Sequence, residues 1–257
     1  MEEKSLYVQN IEVSYKIVGE GPAILILHGW GRGSDSWVEV QEKLAKAGYR
    51  VVVPDLPGFG QSELPQTVWG VNDYVAFAGK FAEKLNLGTF VLMGHSFVGQ
   101  VALKFAHMYP EKIEKLVLVA PAAIRREPGQ REIFIQRIAK TGGLALSFLP
   151  GEVLRNFARK VFARIIGRSD YLEAQGIKRE IMQKVLREDL SHLFSQISTK
   201  TLLIWGENDR PVPLEDGYFM EKHIPHARLR VILQVGHRVN KEAPEKLQEI
   251  ILEFLEN

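Results

Sequence analysis

Short, unbroken apolar runs alternate with segments of helical periodicity along most of this chain of 257 residues. Apolar runs of this length without polar interruptions are typical of strands buried on both faces of a parallel sheet. The segment at 11–18 instead alternates apolar and polar residues, which predicts a half-buried antiparallel strand. The continuous runs lie at 23–27, 51–53, 90–93, 116–119, 202–205 and 230–233.

Helical patterns separate these runs, and one long segment contains helical patterns only. The regular alternation of strand and helix predicts an α/β fold, with a doubly wound, mostly parallel sheet and helices on both faces. The alternation stops between about 123 and 198. We therefore expect a core made of residues 1–122 and 199–257, with an all-helical cap inserted at 123–198. The helical patterns of the core lie at about 36–47, 73–86, 97–109, 215–223 and 241–256.

Composition and charge exclude several classes of protein. Lys and Arg number 33 against 31 Asp and Glu, so the net charge is +2 and a nucleic-acid partner is not expected. The chain has no cysteine, which excludes disulfides and thiolate sites, and its scattered histidines predict no metal site. No apolar run approaches the roughly 18 residues that span a bilayer, and no secretory signal is evident. These features predict a cytoplasmic protein with no membrane span. We expect a monomer or homodimer.

A candidate nucleophile stands where a hydrophobic run passes into a helical segment. Gly94, His95 and Ser96 follow the run at 90–93, and this strand–turn–helix context is what a nucleophile elbow requires. A serine that merely caps the helix is the alternative interpretation. Val98 stands where the usual Gly-x-Ser-x-Gly pattern has its second glycine. Its two methyl groups predict a crowded turn, in which either the elbow is displaced or small neighbouring residues absorb the bulk.

Two further polar residues could activate this serine, because a serine hydroxyl at neutral pH needs an adjacent base. His237 follows the last apolar run and could take the proton of Ser96. Asp209, which follows the run at 202–205, could bind the other ring nitrogen and stabilise the imidazolium. The chain order Ser96, Asp209, His237 fits a triad on this kind of sheet. All three positions fall at the carboxyl ends of predicted strands, where open α/β sheets bind ligands.

A glycine-containing turn, His28-Gly29-Trp30-Gly31, follows the run at 23–27. Such a turn could aim the backbone N–H of Trp30 at the serine, and with the N–H of Phe97 it could form an oxyanion hole. One such donor typically contributes about 10²–10³ in rate. We expect His28 to hold the loop by hydrogen bonding and to take no part in the chemistry.

The same glycines also suggest a dinucleotide site, because Gly29-x-Gly31 follows a strand and Asp55 ends the next one. Ser34 stands where the third glycine of that pattern belongs, and Asp55 leads directly into a proline–glycine turn. A dinucleotide site would also leave the serine, aspartate and histidine unexplained. No cofactor is therefore expected.

Taken together, these motifs resemble the α/β-hydrolase fold family, in its subgroup of small cap-bearing serine esterases and related hydrolases. The likeness covers nearly the whole chain and includes the segments 54–62 and 236–245. It implies an eight-stranded, mostly parallel sheet and a helical cap inserted after the sixth strand. It also implies that Ser96 is the nucleophile, His237 the base and Asp209 the orienting acid.

The resemblance implies cleavage of carboxylic esters through an acyl-enzyme on Ser96, and a mostly apolar pocket would favour acyl chains of short to medium length. Carbon–carbon bond or thioester hydrolysis by the same triad remains open, as does a ligand-binding homologue with little turnover. The segment 122–198 holds 14 Lys and Arg against 8 Asp and Glu. With the His-Gly-Trp-Gly turn, this basic cap is similar to that of pimeloyl-carrier-protein methyl ester esterases, which implies a small ester that is acidic or carrier-linked. A merely solvated helical surface is the alternative.

Five aromatic residues are candidates for the substrate pocket. Two belong to the core loops and three to the predicted cap, where aromatic residues at helical spacing can equally form the interior of the cap. The five candidates are Trp30, Phe97, Phe134, Phe148 and Phe162.

Overall fold

The computed structural model describes residues 1–125 and 176–256, and these form one eight-stranded sheet with helices on both faces. The strand order is β1-β2-β4-β3-β5-β6-β7-β8. β1 and β2 pair antiparallel, β2 and β4 also pair antiparallel, and all other pairs are parallel. The predicted mostly parallel sheet is confirmed. The strands are β1 (Glu2–Val8), β2 (Ile11–Val18), β3 (Ala23–Leu27), β4 (Arg50–Pro54), β5 (Phe90–His95), β6 (Ile113–Val119), β7 (Thr201–Gly206) and β8 (Ala227–Ile232).

Helices follow most of the strands, close to the positions that the sequence predicts. None of those within the described ranges is long and apolar enough to cross a bilayer. The α-helices are α1 (Val38–Lys46), α2 (Val71–Lys84), α3 (Phe97–Met108), α4 (Ile177–Val185), α5 (Leu214–His223), α6 (Val239–Glu242) and α7 (Pro244–Glu256). Short 3₁₀ segments lie at Ser34–Trp37, Pro110–Lys112 and Ser191–Gln196.

The parallel strands send alternate side chains into two separate hydrophobic cores, as the pleat of a strand requires. Ile24 and Ile26 pack with α1 and α7 on one face, and both are fully buried. Leu25 and Leu27 pack with α2 and α3 on the other face and are also fully buried. This two-sided burial explains why the central strands appear in the sequence as unbroken apolar runs.

The first strand and the last strand differ from the prediction. β1 has no prominent apolar pattern, because most of its residues are exposed at the edge of the sheet. It pairs along its whole length with β2, joined by a turn in which Gln9 and Asn10 have φ values of 53° and 61°. β8 spans Ala227–Ile232 rather than 230–233, and its alternating arginines reflect its own edge position.

The start of the predicted cap is hydrogen-bonded to residues in the later part of the same segment. The N–H of Leu190 donates to the carbonyl of Ala123 at 2.9 Å, and the N–H of Arg125 donates to the Asp189 carboxylate at 2.6 Å. The guanidinium of Arg125 also donates to the carbonyl of Ala122 at 2.9 Å. The segment that leaves the sheet after β6 therefore lies next to the segment at 189–190 that leads back to the sheet. The division into core and cap at 123–198 itself remains a prediction.

Asp55 joins two loops at the carboxyl edge of the sheet. It lies at the end of β4 and is 4% exposed. Its Oδ1 accepts a hydrogen bond from the N–H of Ser34 at 2.5 Å, and its Oδ2 accepts one from the N–H of Gln61 at 2.8 Å. A Cβ at Gly60 would lie 2.1 Å from Oδ2, so the loop must carry glycine there. Both carboxylate oxygens of Asp55 therefore hold backbone amides of the two loops.

We expect Asp55→Ala to lower the free energy of unfolding by about 2–4 kcal/mol, because two amide donors lose a buried, charged acceptor. Urea denaturation measures this change. Asp35→Ala is the matched control, since the Asp35 side chain is 88% exposed and pairs with Lys16 at the surface. The control should cost less than about 1 kcal/mol. Equal losses in the two variants would show that Asp55 does not hold the loops.

Candidate active site

Ser96 occupies a strained turn between β5 and α3. Its φ of 59° and ψ of −126° are uncommon for a residue with a side chain, and such conformations cost about 1–3 kcal/mol. Three backbone hydrogen bonds hold it there. The N–H of Ser96 donates to the carbonyl of Val119 at 2.9 Å, and the Ser96 carbonyl accepts from the amides of Gly99 and Ala122, both at 3.0 Å.

Two glycines allow α3 to approach the sheet closely enough for this turn. A Cβ at Gly94 would lie 2.7 Å from the Cβ of Ala102, and a Cβ at Gly99 would lie 2.4 Å from the Cβ of Pro121. Val98, by contrast, is fully buried within the core on that face of the sheet. The structure holds Ser96 in this turn with valine at position 98. At the next position, Gly99, any side chain would collide with Pro121.

The structure brings the three predicted polar residues together. The Nδ1 of His237 lies 2.7 Å from Oδ2 of Asp209, and its Nε2 lies 2.8 Å from Oγ of Ser96. A carboxylate can only accept, so Nδ1 carries the proton and Nε2 is free to accept the serine hydroxyl. The Asp209 side chain is fully buried, and its Oδ1 accepts from the N–H of Val212 at 2.9 Å. The carboxylate is thereby fixed in orientation.

The loops that carry Asp209 and His237 touch directly. A Cβ at Gly206 would lie 2.2 Å from the carbonyl oxygen of Gly236, so the end of β7 admits only glycine. The N–H of Asn208 donates to the carbonyl of Val235 at 2.8 Å. This contact sets the position of the acid relative to the base.

The predicted oxyanion donors lie in an aromatic cluster at the start of α3. The Trp30 and Phe97 rings are 5.3 Å apart, and Phe59 and Tyr74 pack edge-on against them at 4.8 Å and 5.4 Å respectively. Phe97 is the first residue of α3, where a helix leaves its amides without an intrahelical acceptor. Among the described residues, neither the Trp30 nor the Phe97 amide has an acceptor. Both are thus available to a ligand.

His28 holds the loop after β3, as the sequence predicts. Its Nε2 accepts from the N–H of Leu56 at 3.0 Å, so the ring proton sits on Nδ1, which donates to the carbonyl of Gly29 at 2.9 Å. Complete burial lowers the pKa of His28, which keeps the ring neutral. The expectation that His28 stabilises this loop is confirmed.

Some candidates fall outside the described residues, and one residue escaped the sequence analysis. Phe134, Phe148 and Phe162 lie in the segment that the structure does not describe. His95, directly before Ser96, is buried and bonded to the backbone of His237. Only its position between Gly94 and Ser96 could have marked His95 as a residue of the site. The sequence does not show which groups a buried ring contacts.

Comparison with known proteins decides the family. A family model for the alpha/beta hydrolase fold matches residues 22–244. The chain belongs to the α/β-hydrolase fold family. With the serine site described above, it is a serine hydrolase of this fold.

Relatives of this α/β hydrolase include enzymes named for two chemistries. A 2-hydroxy-6-oxononadienedioate/2-hydroxy-6-oxononatrienedioate hydrolase from Burkholderia vietnamiensis is 29% identical, covering 95% of this chain and 91% of the relative. A 2-hydroxy-6-oxo-6-phenylhexa-2,4-dienoate hydrolase from Burkholderia cepacia is 28% identical, covering 99% and 94%. A thermophilic esterase from Thermogutta terrifontis has a similar structure, with a TM-score of 0.74, 25% identity and coverage of 100% and 98%.

We expect Val98→Gly to lower the free energy of unfolding by about 2–4 kcal/mol, because it opens a cavity and places a glycine inside a helix. The reactivity of Ser96 toward a serine-directed fluorophosphonate should not rise. Gly99→Ala is the comparison, since its methyl group would collide with Pro121 and displace the elbow, which should slow labelling. Faster labelling of Val98→Gly than of the wild type would show that the valine does crowd the turn.

Proposed function

We propose that this α/β hydrolase cleaves carboxylic esters of short to medium acyl chain through an acyl-enzyme on Ser96. The observation that supports the proposal is the continuous hydrogen-bonded chain from Ser96 through His237 to the buried carboxylate of Asp209. A hydroxyl bonded to an unprotonated imidazole nitrogen is the arrangement that activates serine as a nucleophile.

The proposed reaction has two steps on the same three side chains. As Oγ of Ser96 attacks the ester carbonyl, Nε2 of His237 takes the hydroxyl proton, and the amides of Trp30 and Phe97 donate to the oxyanion. The imidazolium then gives its proton to the leaving alcohol, and the acyl group remains on Ser96. In the second step His237 takes a proton from water, the hydroxide attacks the acyl carbonyl, and the acid leaves as Ser96 is reprotonated.

The acyl pocket that we propose is apolar on the side that the structure describes. Trp30 is partly exposed and packs against the buried rings of Phe59 and Phe97, and Phe97 directly follows Ser96. Burial raises the pKa of the Tyr74 hydroxyl, so this side chain stays uncharged. An aromatic wall of this kind favours an apolar acyl group. The proposal extends the pocket to the cap residues Phe134, Phe148 and Phe162.

We also propose that the small-molecule ester is acidic or carrier-linked. Arg32 lies in the loop of the proposed oxyanion hole, and its positive charge contributes to lowering the pKa of the neighbouring His95. The ammonium of Lys178 lies 5.9 Å from the centre of the Phe59 ring. The cation over the Phe59 ring and the cation in the loop after β3 support a substrate that carries a negative charge outside its apolar part.

Carbon–carbon bond hydrolysis is the second candidate, and the two curated relatives support it. Both are named hydrolases of 2-hydroxy-6-oxo dienoate compounds and align along almost the whole chain. The same nucleophile, base and oxyanion donors would serve. The difference lies in the leaving group, because the proton of His237 would go to carbon or to an enolate oxygen instead of an alcohol. Thioester hydrolysis needs no further group either.

The first test is hydrolysis of p-nitrophenyl esters from acetate to decanoate, with Ser96→Ala beside the wild type. We expect serine-dependent turnover, fastest on short to medium chains and faster when the acyl chain ends in a carboxylate. Loss of turnover to background in Ser96→Ala supports the nucleophile, and unchanged turnover refutes it.

The same preparation is assayed with a 2-hydroxy-6-oxo dienoate, whose yellow colour disappears on cleavage. Faster turnover of the dienoate than of every ester would favour carbon–carbon hydrolysis over the esterase. Tight binding of these compounds with no turnover of either would favour a ligand-binding homologue.

We expect Asp209→Asn to lower kcat by about 10⁴, because the amide would favour the wrong tautomer of His237 and could not stabilise the imidazolium. Steady-state kinetics on the best substrate measures this. Glu207→Gln is the matched control, because Glu207 lies in the same loop, is exposed, and accepts a surface hydrogen bond from the N–H of Gln234 at 2.9 Å. If Glu207→Gln loses as much activity, the acid is misassigned.

A further inference from the structure

His95 is a buried imidazole next to Ser96 that the proposed chemistry does not use. It is the last residue of β5 and is 6% exposed. Its Nε2 lies 3.0 Å from the backbone carbonyl oxygen of His237. A carbonyl can only accept, so the proton of the His95 ring sits on Nε2 and is donated to the loop that carries the base.

The other side of the His95 ring faces the loop of the proposed oxyanion hole. A Cβ at Gly29 would lie 2.9 Å from Nδ1 of His95, so the backbone at Gly29 passes directly against the ring. The ring centre also lies 5.0 Å from that of the His237 imidazole, at an angle of 36°. One side chain therefore touches the two loops that must be placed relative to Ser96, while its own backbone adjoins the serine.

We propose that His95 is a positioning residue that sets the placement of both loops. Its Nε2–H holds the backbone of His237 where the catalytic ring reaches Ser96 Oγ, and its ring fixes the distance of the Trp30 loop at Gly29. The inference rests on the function proposed above, because it assigns His95 a role in placing that base and that oxyanion donor.

The charge state of the ring fits this role. Burial, followed by the influence of His237, lowers the pKa of His95 to about 3, and Arg32 and His28 act in the same direction. The ring is therefore neutral wherever His237 serves as a base. A neutral donor can hold the carbonyl without opposing protonation of His237, whereas a charged group at the same distance would oppose it.

Three substitutions at position 95 separate positioning from bulk packing. His95→Phe keeps a ring and removes the donor, His95→Gln keeps an N–H near the place of Nε2, and His95→Asn keeps an amide that is too short to reach. We expect His95→Phe and His95→Asn to lower kcat by about 10–100-fold with KM little changed, because small displacements of reacting groups have effects of this size. His95→Gln should keep kcat within about threefold of the wild-type value.

Two readouts do not depend on knowing the substrate. The first is the rate at which a fluorophosphonate labels Ser96, measured as a function of pH. In His95→Phe and His95→Asn this rate should fall and the midpoint of its pH dependence should shift. In His95→Gln both should stay near the wild-type values. The second is the downfield proton resonance of His237 Nδ1–H. It should be present in the wild type and in His95→Gln, and it should be broadened or shifted in His95→Phe and His95→Asn. Circular dichroism checks that each variant is folded, and the Asn and Gln pair decides the outcome where Phe does not fold.

The inference is overturned if Ser96 is labelled at the same rate and with the same pH midpoint in His95→Asn and His95→Gln. It is also overturned if His95→Phe retains wild-type reactivity and the wild-type Nδ1–H resonance of His237. A wild type whose serine does not react at all instead contradicts the proposed function. In that case the resonance of His237 Nδ1–H still tests whether His95 positions the loop.

Discussion

The close contact between strand β5 and helix α3 is the constraint on which the site depends. Gly94 lacks the side chain that would separate β5 from α3, and Gly99 lacks the one that would collide with Pro121 after β6. In this setting Ser96 takes a left-handed backbone conformation with three backbone hydrogen bonds. Buried strands on both sides support the strain, since β5 pairs with β3 and β6 along its length. The apolar packing of the sheet thus offsets the local cost of exposing one hydroxyl.

Two buried neutral histidines extend this rigidity to the loops around the serine. His28 links the loop after β3 to the backbone at Leu56, and His95 links the same loop to the carbonyl of His237. Asp55 ties it further to the loop after β4. Loops at the carboxyl edge of a parallel sheet carry no ladder of their own, so side chains must supply the hydrogen bonds that hold them. The site owes its geometry to these polar groups as much as to the triad.

The sequence was sufficient for the features that depend on local pattern. Unbroken apolar runs identified the central strands, and strand ends located Ser96, Asp209 and His237, which the structure brings into hydrogen-bond contact. The residue pattern of the edge strand β1 did not predict a strand, because most of its residues are exposed and it has no prominent apolar pattern. The crowding expected at Val98 stays a prediction, because Val98 is buried and its effect on the turn depends on packing with residues distant in the chain. The contacts of His95 were equally invisible, since they join residues far apart in the chain.

The fold and the triad do not by themselves decide between ester and carbon–carbon cleavage, since one fold carries many reactions. Both begin with attack on a carbonyl and an oxyanion held by backbone amides, so the geometry at Ser96 serves either. They differ in the atom that receives the proton of His237. An alcohol oxygen leaves readily once it is protonated, whereas a carbon leaving group needs its electrons delocalised into a conjugated acid. A cation beside the bound substrate would stabilise that delocalised charge as well as bind an acidic ester. The substrate's own electronic structure therefore decides the chemistry, and the groups outside the triad decide which substrate arrives.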